Sequence, residues 1–310
     1  MTKAAAADKI VLANAPVSFG AFEITVGIDP NVPDGEQVLD AVAHAGYGGI
    51  DLGPAGYLGK GDGLKKRLRD RKLGLAGGYL ELPYSEPQRM KAALHELDIL
   101  LDVFDAAGVP ETGLKPKPTL ADLGSDKRKA HPGQAATNRE LGFDKEGWKR
   151  FADGLETAVE RCRERGYEPT FHHETGTHIE AVWEIEKMLE LTSIDLCLDT
   201  GHLLLGKGEP VKALKEWGPR INHIHLKDAR HQVIDKIVKE AAPVIEIWRR
   251  GAFCALGKGD VDIEGVLDIL HQRYKGWLVV EQDILPDAKA PEKPAKDQIA
   301  NFNYLSVRGF

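Results

Sequence analysis

The stretch IDLCLDTGH (residues 194–202) decides the fold, because a short apolar strand ends in Asp-Thr-Gly before the chain continues as a helix. Similar short runs recur along the chain, and a longer stretch with helical periodicity follows each of them. The predicted strands span residues 9–19, 48–54, 75–82, 112–118, 168–175, 194–200, 221–228 and 276–283. Strict alternation of strands and helices is typical of a parallel sheet.

The segments between the strands carry apolar residues at helical spacing, most clearly in residues 34–47 and 145–166. Eight strand–helix units most economically close into a single (β/α)8 TIM barrel, an α/β fold that we expect to span residues 1–310 as one domain. An open doubly wound sheet is the alternative. It is disfavoured because no Gly-rich phosphate-binding loop follows the first strand.

Two insertions interrupt the regular pattern, one at about residues 119–143 and the other at about residues 229–260. The first is polar and rich in Gly, Lys and Asp, whereas the second begins with a helical segment and ends in ALGKGD. Both would lie at the C-terminal face of the barrel, where long loops cover active sites.

The composition of the 310-residue chain is that of an ordinary globular protein, with 42% hydrophobic and 29% charged residues. The net charge of −7 argues against a nucleic-acid groove, which needs a positive field. Three widely spaced cysteines without a CxxC pair predict no disulfide framework. No apolar run approaches the ~20 residues of a membrane span, and charged residues interrupt the Ala-rich N-terminus before a signal-peptide core forms. We therefore expect a cytoplasmic protein.

Polar residues stand at the ends of the later strands, where a buried strand should remain apolar. Because positions two apart share one face of a strand, inward-facing carboxylates and an imidazole would converge from four consecutive strands. These predicted metal ligands are Glu174, Asp199, His225 and Glu281. Three carboxylates and one imidazole suit a divalent cation, with Mn²⁺ preferred and Co²⁺ and Mg²⁺ as alternatives.

Each of these residues also has a structural explanation. Asp199 precedes Thr-Gly and would cap the following helix, and His223 or His225 would be an ordinary core histidine. His173 faces away from its neighbours and is assigned a structural role, while Cys197 lies deeper than Asp199 and is assigned to the core. However, four polar residues at the ends of adjacent strands would rarely all have separate structural roles, and together they favour the metal site.

Three motifs carry a resemblance to a known family: DTGH (199–202), HIHLKDAR (223–230) and GWLVVEQD (276–283). They resemble the xylose-isomerase-like barrels of sugar isomerases, epimerases and dehydratases, and the similarity is closest to inosose dehydratases. It runs from about residue 143 to 286 and includes the helical insertion at 229–260. Residues 1–142 match only in pattern.

The resemblance implies the same four metal ligands and a substrate site beside them. Its implied substrate-binding residues are His202, Lys227 and Arg230. The chain departs from the inosose dehydratases at FHHETGT (171–177), where those enzymes carry an HHHMGT-like string. Glu174 instead matches the epimerase and isomerase branch, and also the metal-dependent α subunits of C-glycoside deglycosidases, which act on 3-keto sugars.

These branches share one chemistry, in which a metal polarises a ketone and a base removes the neighbouring proton. His172 shares the inward face with Glu174 and is the predicted base, with a role in orienting Glu174 as the alternative. Glu174 or Glu281 would also be able to move the proton as ligand carboxylates. The predicted reaction is β-elimination from a keto-polyol or keto-sugar, and epimerisation or isomerisation is the alternative.

Other classes of function are weighed against the lyase. A metal-dependent nuclease of related fold is disfavoured, because the third predicted strand ends in YLEL without histidines and the net charge opposes DNA. A non-catalytic sugar-binding subunit predicts metal without exchange of an α proton. The expected partner is a small keto-polyol or keto-sugar, with no nucleic acid and no membrane. A homo-oligomer and a complex with a smaller second subunit both remain open.

Overall fold

The computed structural model describes residues 9–310, and residues 1–8 with their part of the Ala-rich N-terminus lie outside the described residues. Its sheet is parallel, and we number the barrel strands β1–β8 in chain order. They are β1 Ile10–Asn14, β2 Gly49–Ile50, β3 in two segments Gly74–Leu75 and Gly77–Leu82, β4 Lys117–Asp122, β5 Thr170–His172, β6 Asp195–Asp199, β7 Ile221–Leu226 and β8 Gly276–Val280.

The strands follow one another around the barrel in chain order, and β8 pairs in parallel with β1. Ala76 separates the two segments of β3, and its backbone hydrogen bonds link β2 to β4 and so close the barrel. The Ala76 N–H donates to the Ile50 carbonyl at 2.9 Å, and the Ala76 carbonyl accepts from the Lys117 N–H at 2.9 Å. The predicted TIM barrel is thus confirmed.

One strand lies elsewhere than predicted. The fourth strand was expected at residues 112–118, but β4 spans Lys117–Asp122 and pairs with all of Gly77–Leu82. Thr112 lies in a turn closed by the Gly113 N–H, which donates to the Pro110 carbonyl at 2.9 Å, and residues 113–116 have no regular secondary structure. The insertion expected from residue 119 therefore begins only after Asp122.

Helices surround the barrel, and the longer ones bury an apolar face against it. The predicted helices at 34–47 and 145–166 are confirmed as Gly35–Ala45 and Lys145–Glu164. The other α-helices of the described residues are Gly61–Asp70, Pro87–Ala107, Asp126–Lys129, Val182–Leu191, Thr200–Leu205, Pro210–Trp217, His231–Glu240, Ile245–Arg249, Ile263–Arg273 and Lys293–Ser306. Short 3₁₀ turns occupy Pro16–Phe19, Arg139–Leu141 and Gly218–Arg220.

The indole of Trp277 fills the barrel interior near the start of the strands. A Cβ atom at Gly49 or Gly74 would lie 2.5 or 2.7 Å from the indole ring, so neither position has room for a side chain. The indole N–H donates to the Lys115 carbonyl at 3.2 Å. This end of the barrel is therefore packed, and the opposite end, where the strands terminate, holds the polar residues.

The insertion that follows β4 is anchored by a fully buried arginine. Arg128 donates to Glu184 at 2.6 Å and to Glu180 at 3.0 Å, and all three side chains are at most 1% exposed. A buried guanidinium needs such paired carboxylates because its desolvation is costly. The ion pairs tie the insertion to the segment between β5 and β6.

The second insertion lies where it was predicted. A two-stranded antiparallel ribbon, Asp228–Ala229 with Phe253–Cys254, encloses its helices His231–Glu240 and Ile245–Arg249. The Val244 N–H donates to the Lys129 carbonyl at 2.9 Å, so the two insertions contact each other over the strand ends. No helix in residues 9–310 is both long and apolar enough to cross a bilayer.

Candidate active site

A cavity of about 610 Å³ opens at the C-terminal ends of the strands, between the barrel and the two insertions. Four side chains at this end of the barrel bring one nitrogen or oxygen atom each to within 4.8 Å of one another; three of them line the cavity floor, and Asp199 is fully buried beside them. They are His172 at the end of β5, Asp199 at the end of β6, His225 on β7 and Glu281 just after β8. We call these four residues the donor group. Each is at most 7% exposed.

Three of the four predicted metal ligands belong to the donor group, and Glu174 does not. β5 ends at His172, and the chain then turns, with the Thr177 N–H donating to the Glu174 carbonyl at 3.2 Å. Strand alternation therefore no longer sets the direction of the Glu174 side chain. His172, two residues earlier and still within β5, faces Asp199 instead.

Glu174 lies on the cavity wall beside the donor group. Its carboxylate accepts a short hydrogen bond from the Tyr79 hydroxyl, and its Oε2 is 3.9 Å from Nδ1 of His172. The same hydroxyl lies 3.0 Å from Oε1 of Glu81. Burial and the charge of Glu174 raise the pKa of Glu81 to about 7. The wall thus carries two carboxylates around one phenol.

His172 is placed to act either as a ligand or as a proton acceptor. Its Nε2 is 3.4 Å from Oδ2 of Asp199, and its side chain is only 4% exposed. Burial lowers the pKa of His172 despite the opposing effect of Asp199. The imidazole is therefore neutral at pH 7, and a neutral imidazole is the form that binds metals and accepts protons.

Lys227 brings a buried ammonium into the same group of carboxylates. Its Nζ is 3.0 Å from Asp199, 3.0 Å from Glu281 and 2.9 Å from Asp283. Burial alone lowers the pKa of Lys227, but these three carboxylates raise it well above its ordinary value. Conversely, burial raises the pKa of Asp199, and the charges led by Lys227 hold it well below its ordinary value.

The donor group fits a divalent cation on two observations. Both ring nitrogens of His225 and Nδ1 of His172 are buried without a hydrogen-bond partner among the described residues, a costly state unless another group binds them. The carboxylates of Asp51, Asp199 and Glu281 together with Asp283 also outnumber the single Lys227 ammonium at the floor. Two imidazoles with two carboxylates are a ligand set for borderline divalent metals.

The three predicted substrate-binding residues are placed differently. His202 and Lys227 both line the cavity; Nδ1 of His202 is 3.0 Å from the Thr175 hydroxyl and its Nε2 is 3.6 Å from Asp283. Arg230 is not among the cavity-lining residues. Its guanidinium donates instead to the Gly251 carbonyl at 2.8 Å, within the second insertion.

His173 and Cys197 are both fully buried. The Asp199 N–H donates to Nε2 of His173 at 3.3 Å, and burial lowers the pKa of His173 well below its ordinary value. Cys197 lies two residues before Asp199 on β6, and its sulfur is within 4.8 Å of a ring nitrogen of both His172 and His225. Burial raises the pKa of the Cys197 thiol, which favours the neutral thiol of a core residue.

Comparison with known proteins agrees with this architecture. Residues 39–305 match the family model described as xylose isomerase-like TIM barrel. The chain belongs to this family. An inosose dehydratase of Bacillus thuringiensis (strain Al Hakam) is 30% identical over 269 residues, which cover 83% of this chain and 84% of the relative. An inosose dehydratase of Clostridium botulinum is 28% identical over 297 residues, covering 88% and 94%.

Several solved structures share the fold at low sequence identity. An L-ribulose 3-epimerase superposes with a TM-score of 0.65 at 16% identity, covering 96% of this chain and 94% of that one. A probable 3-DHS dehydratase from Bacillus anthracis has a TM-score of 0.63 at 11% identity, covering 96% and 98%. Both structures thus show the same barrel fold as this chain.

Sequence reasoning missed several polar residues of this site. Asp51, directly after β2, places its Oδ2 3.5 Å from Nε2 of His225. Asp283 lies two residues after Glu281, and Tyr79 and Glu81 alternate along β3. The signal that located Asp199, an acidic residue at a strand end, was also present at Asp51 in GGIDLGP.

Proposed function

We propose that this protein is a divalent-metal-dependent lyase that acts on a keto-polyol or keto-sugar, as an inosose dehydratase does. It removes a proton from the carbon next to a ketone and then expels a group from the following carbon. The observation that carries the proposal is the convergence of His172, Asp199, His225 and Glu281 to within 4.8 Å, with three of the four on the floor of a ligand-sized cavity. The relationship to inosose dehydratases supports the substrate class.

The donor group would hold the cation, with Mn²⁺ preferred over Co²⁺ and Mg²⁺. The sequence predicted Glu174 as the fourth ligand. Because His172 lies beside Asp199, we favour His172 as the fourth ligand. The carboxylate of Glu174 is then not needed for metal binding. A cation bound there supplies Lewis-acid polarisation of a ketone oxygen, which makes the neighbouring C–H bond acidic.

Glu174 would then serve as the base, with His172 as the alternative that the sequence favoured. The α proton moves to the Glu174 carboxylate, and the electron pair of the C–H bond forms a C=C bond. The β C–O bond breaks, and the departing hydroxyl takes the proton from Glu174 and leaves as water. Tyr79 donates a hydrogen bond to Glu174 and so holds its carboxylate at the cavity wall. A positioned base of this kind contributes about 10²–10⁴-fold to the rate.

Lys227 and His202 would bind the hydroxyl oxygens of the substrate. Both line the cavity, and both face Asp283, which lies 2.9 Å from Nζ of Lys227 and 3.6 Å from Nε2 of His202. A polyol hydroxyl accepts from an ammonium and donates to a carboxylate, so this pair suits neighbouring hydroxyls. Arg230, which the sequence predicted as substrate-binding, is left out of the proposed site because it does not line the cavity and its Nη1 donates to the Gly251 carbonyl.

Incubation of the Mn²⁺-loaded protein with 2-keto-inositol in D₂O, followed by proton NMR, tests the proposal. A lyase removes the α-proton signal and produces an unsaturated ketone. An epimerase or isomerase replaces the α proton with deuterium but keeps every hydroxyl. A non-catalytic binding protein does neither, and that outcome would refute an enzymatic role on this substrate. Release of an aglycone from a 3-keto-C-glycoside would assign the C-glycoside deglycosidase activity instead.

A further inference from the structure

The cavity is larger than a free keto-polyol requires. Its volume is about 610 Å³, within the range of roughly 300–1,000 Å³ that encloses drug-sized ligands. A six-carbon keto-polyol has only about twelve non-hydrogen atoms and is much smaller than such ligands. Space therefore remains above the donor group after the reacting part of the substrate is bound.

The upper part of the cavity is lined by apolar side chains, in contrast to its charged floor. We call this surface the apolar rim. It consists of Phe22, Ile24, Val244, Ile245 and Trp248. Ile24 is 55% exposed and the other four are half-buried, whereas the donor group is at most 7% exposed. The rim therefore lies nearer to solvent than the floor, and exposed apolar surface of this kind marks ligand-binding sites.

The rim is built from two distant parts of the chain that meet at an aromatic contact. The rings of Phe22 and Trp248 pack edge to face, with their centroids 5.9 Å apart at an interplanar angle of 68°. Phe22 comes from the loop after β1 and Trp248 from the second insertion. Aromatic pairs in this geometry offer ring faces and edges to a further ring.

Hydrogen bonds fix the backbone on both sides of the rim. The Phe22 N–H donates to the Thr25 hydroxyl at 2.9 Å, and that hydroxyl donates to the Gly20 carbonyl at 2.6 Å. On the other side, the Val244 N–H donates to the Lys129 carbonyl at 2.9 Å. A site on such ordered segments binds its ligand with little loss of conformational entropy.

We propose that the apolar rim binds an aromatic substituent of the substrate while the keto-sugar or keto-polyol part lies on the floor. The inference rests on the proposed function, because the two parts of one ligand occupy one cavity. An aromatic ring is favoured over a flexible chain because Phe22 and Trp248 supply rigid ring surfaces. Glu23 and Lys129 also line the cavity and offer hydrogen-bonding partners to hydroxyls on such a ring.

Binding of two unreactive ligands tests the rim separately from catalysis. Methyl β-D-glucoside and phenyl β-D-glucoside share the sugar, lack the ketone and differ only in the apolar substituent. We expect calorimetric titration of the Mn²⁺-loaded protein to show that the phenyl compound binds about 10–100-fold more tightly, since burial of one ring has an effect of this size. Equal affinities for the two compounds would overturn the proposal.

Variants of the rim provide the second arm of the test. Phe22→Ala and Trp248→Ala should bring the ratio of the two dissociation constants close to 1 and leave the affinity for the methyl compound unchanged. Phe22→Leu and Trp248→Leu serve where an alanine variant does not fold. The matched control is Val307→Ala, which alters a side chain that is 80% exposed directly after the last helix. A phenyl preference that persists in both rim variants would also overturn the proposal.

Failure of this inference is distinguishable from failure of the proposed function. A protein that eliminates water from 2-keto-inositol but binds both glucosides equally is a lyase without an aromatic subsite. One that prefers the phenyl compound in a manner dependent on Trp248, yet converts no keto substrate, has the subsite but not the proposed reaction.

Discussion

Asp51 lies 3.5 Å from Nε2 of His225, while Nδ1 of the same ring lies 3.1 Å from Glu281. The imidazole is thus held between a carboxylate of the donor group and a buried carboxylate behind it. A Cβ atom at Gly77 would lie 3.1 Å from Oδ1 of Asp51, so the absence of a side chain at Gly77 leaves room for Asp51. Carboxylates in this position orient metal-binding histidines and fix their tautomer.

Replacement of Asp51 should therefore weaken metal binding. We expect Asp51→Ala to reduce the affinity for Mn²⁺ by about 10–100-fold, and Asp51→Asn to have a smaller effect because the amide has the same size and still places an oxygen beside Nε2 of His225. Calorimetric titration of the metal-free protein measures both. Asp122→Asn is the matched control, since Asp122 is also buried and lies 2.8 Å from Nδ1 of His178. Wild-type affinity in Asp51→Ala would exclude this role.

His172 and Glu174 are separable by metal content and turnover. If His172 completes the donor group, His172→Ala loses both bound Mn²⁺ and activity, whereas Glu174→Gln keeps its metal and loses about 10²–10⁴-fold in turnover. Elemental analysis together with the NMR assay gives both quantities. The opposite pattern, with metal retained in His172→Ala and lost in Glu174→Gln, would restore the assignment predicted from the sequence.

Loss of the Lys227 charge should destabilise the metal-free protein. Lys227→Met leaves Asp199, Glu281 and Asp283 without their shared cation, which we expect to cost about 3–5 kcal/mol in the free energy of unfolding. Urea denaturation in EDTA measures this loss. Added Mn²⁺ should stabilise the variant more than the wild type, because it replaces the missing charge. Lys66→Met, in which an exposed ion pair with Asp70 is lost, should change stability by no more than about 0.5 kcal/mol.

The buried Arg128 should contribute strongly to the stability of the first insertion. Arg128→Met leaves Glu180 and Glu184 buried without their partner, and we expect a loss of about 3–5 kcal/mol in urea denaturation. Arg89→Met is the control, because Arg89 is 58% exposed beside Glu86. Equal stability of the two variants would mean that water enters and solvates the freed carboxylates.

Glu81 predicts a pH dependence of stability. Burial and Glu174 raise the pKa of Glu81 from 4.5 to about 7 in the folded protein, so the folded state holds a proton that the unfolded chain releases. This contribution is complete below about pH 4.5 and disappears as the pH rises through about 7. Relative to Glu81→Gln, the wild type should lose about 2–3 kcal/mol between pH 5 and 8. Parallel stability curves would contradict the assignment.

The barrel and most of the donor group were predictable because the patterns that indicate them are local. The apolar residues at helical spacing in 34–47 and 145–166 predicted the helices Gly35–Ala45 and Lys145–Glu164. Such a pattern is reliable because each apolar face must pack against the barrel. The fourth strand was misplaced because apolar and proline residues on both sides of Lys117 fit a short strand equally well. Only pairing with Gly77–Leu82 selects Lys117–Asp122.

The sequence by itself determined that acidic residues and histidines end neighbouring parallel strands, and hence that Asp199, His225 and Glu281 lie close together. The tertiary structure decided which residue joins them. β5 stops at His172, so the turn carries Glu174 toward Tyr79 and leaves His172 facing Asp199. Asp51 meets His225 across the barrel interior from a strand that is not its neighbour in the sheet. Strand alternation is a local rule, whereas the point where a strand ends and the contacts across a closed barrel depend on the whole fold.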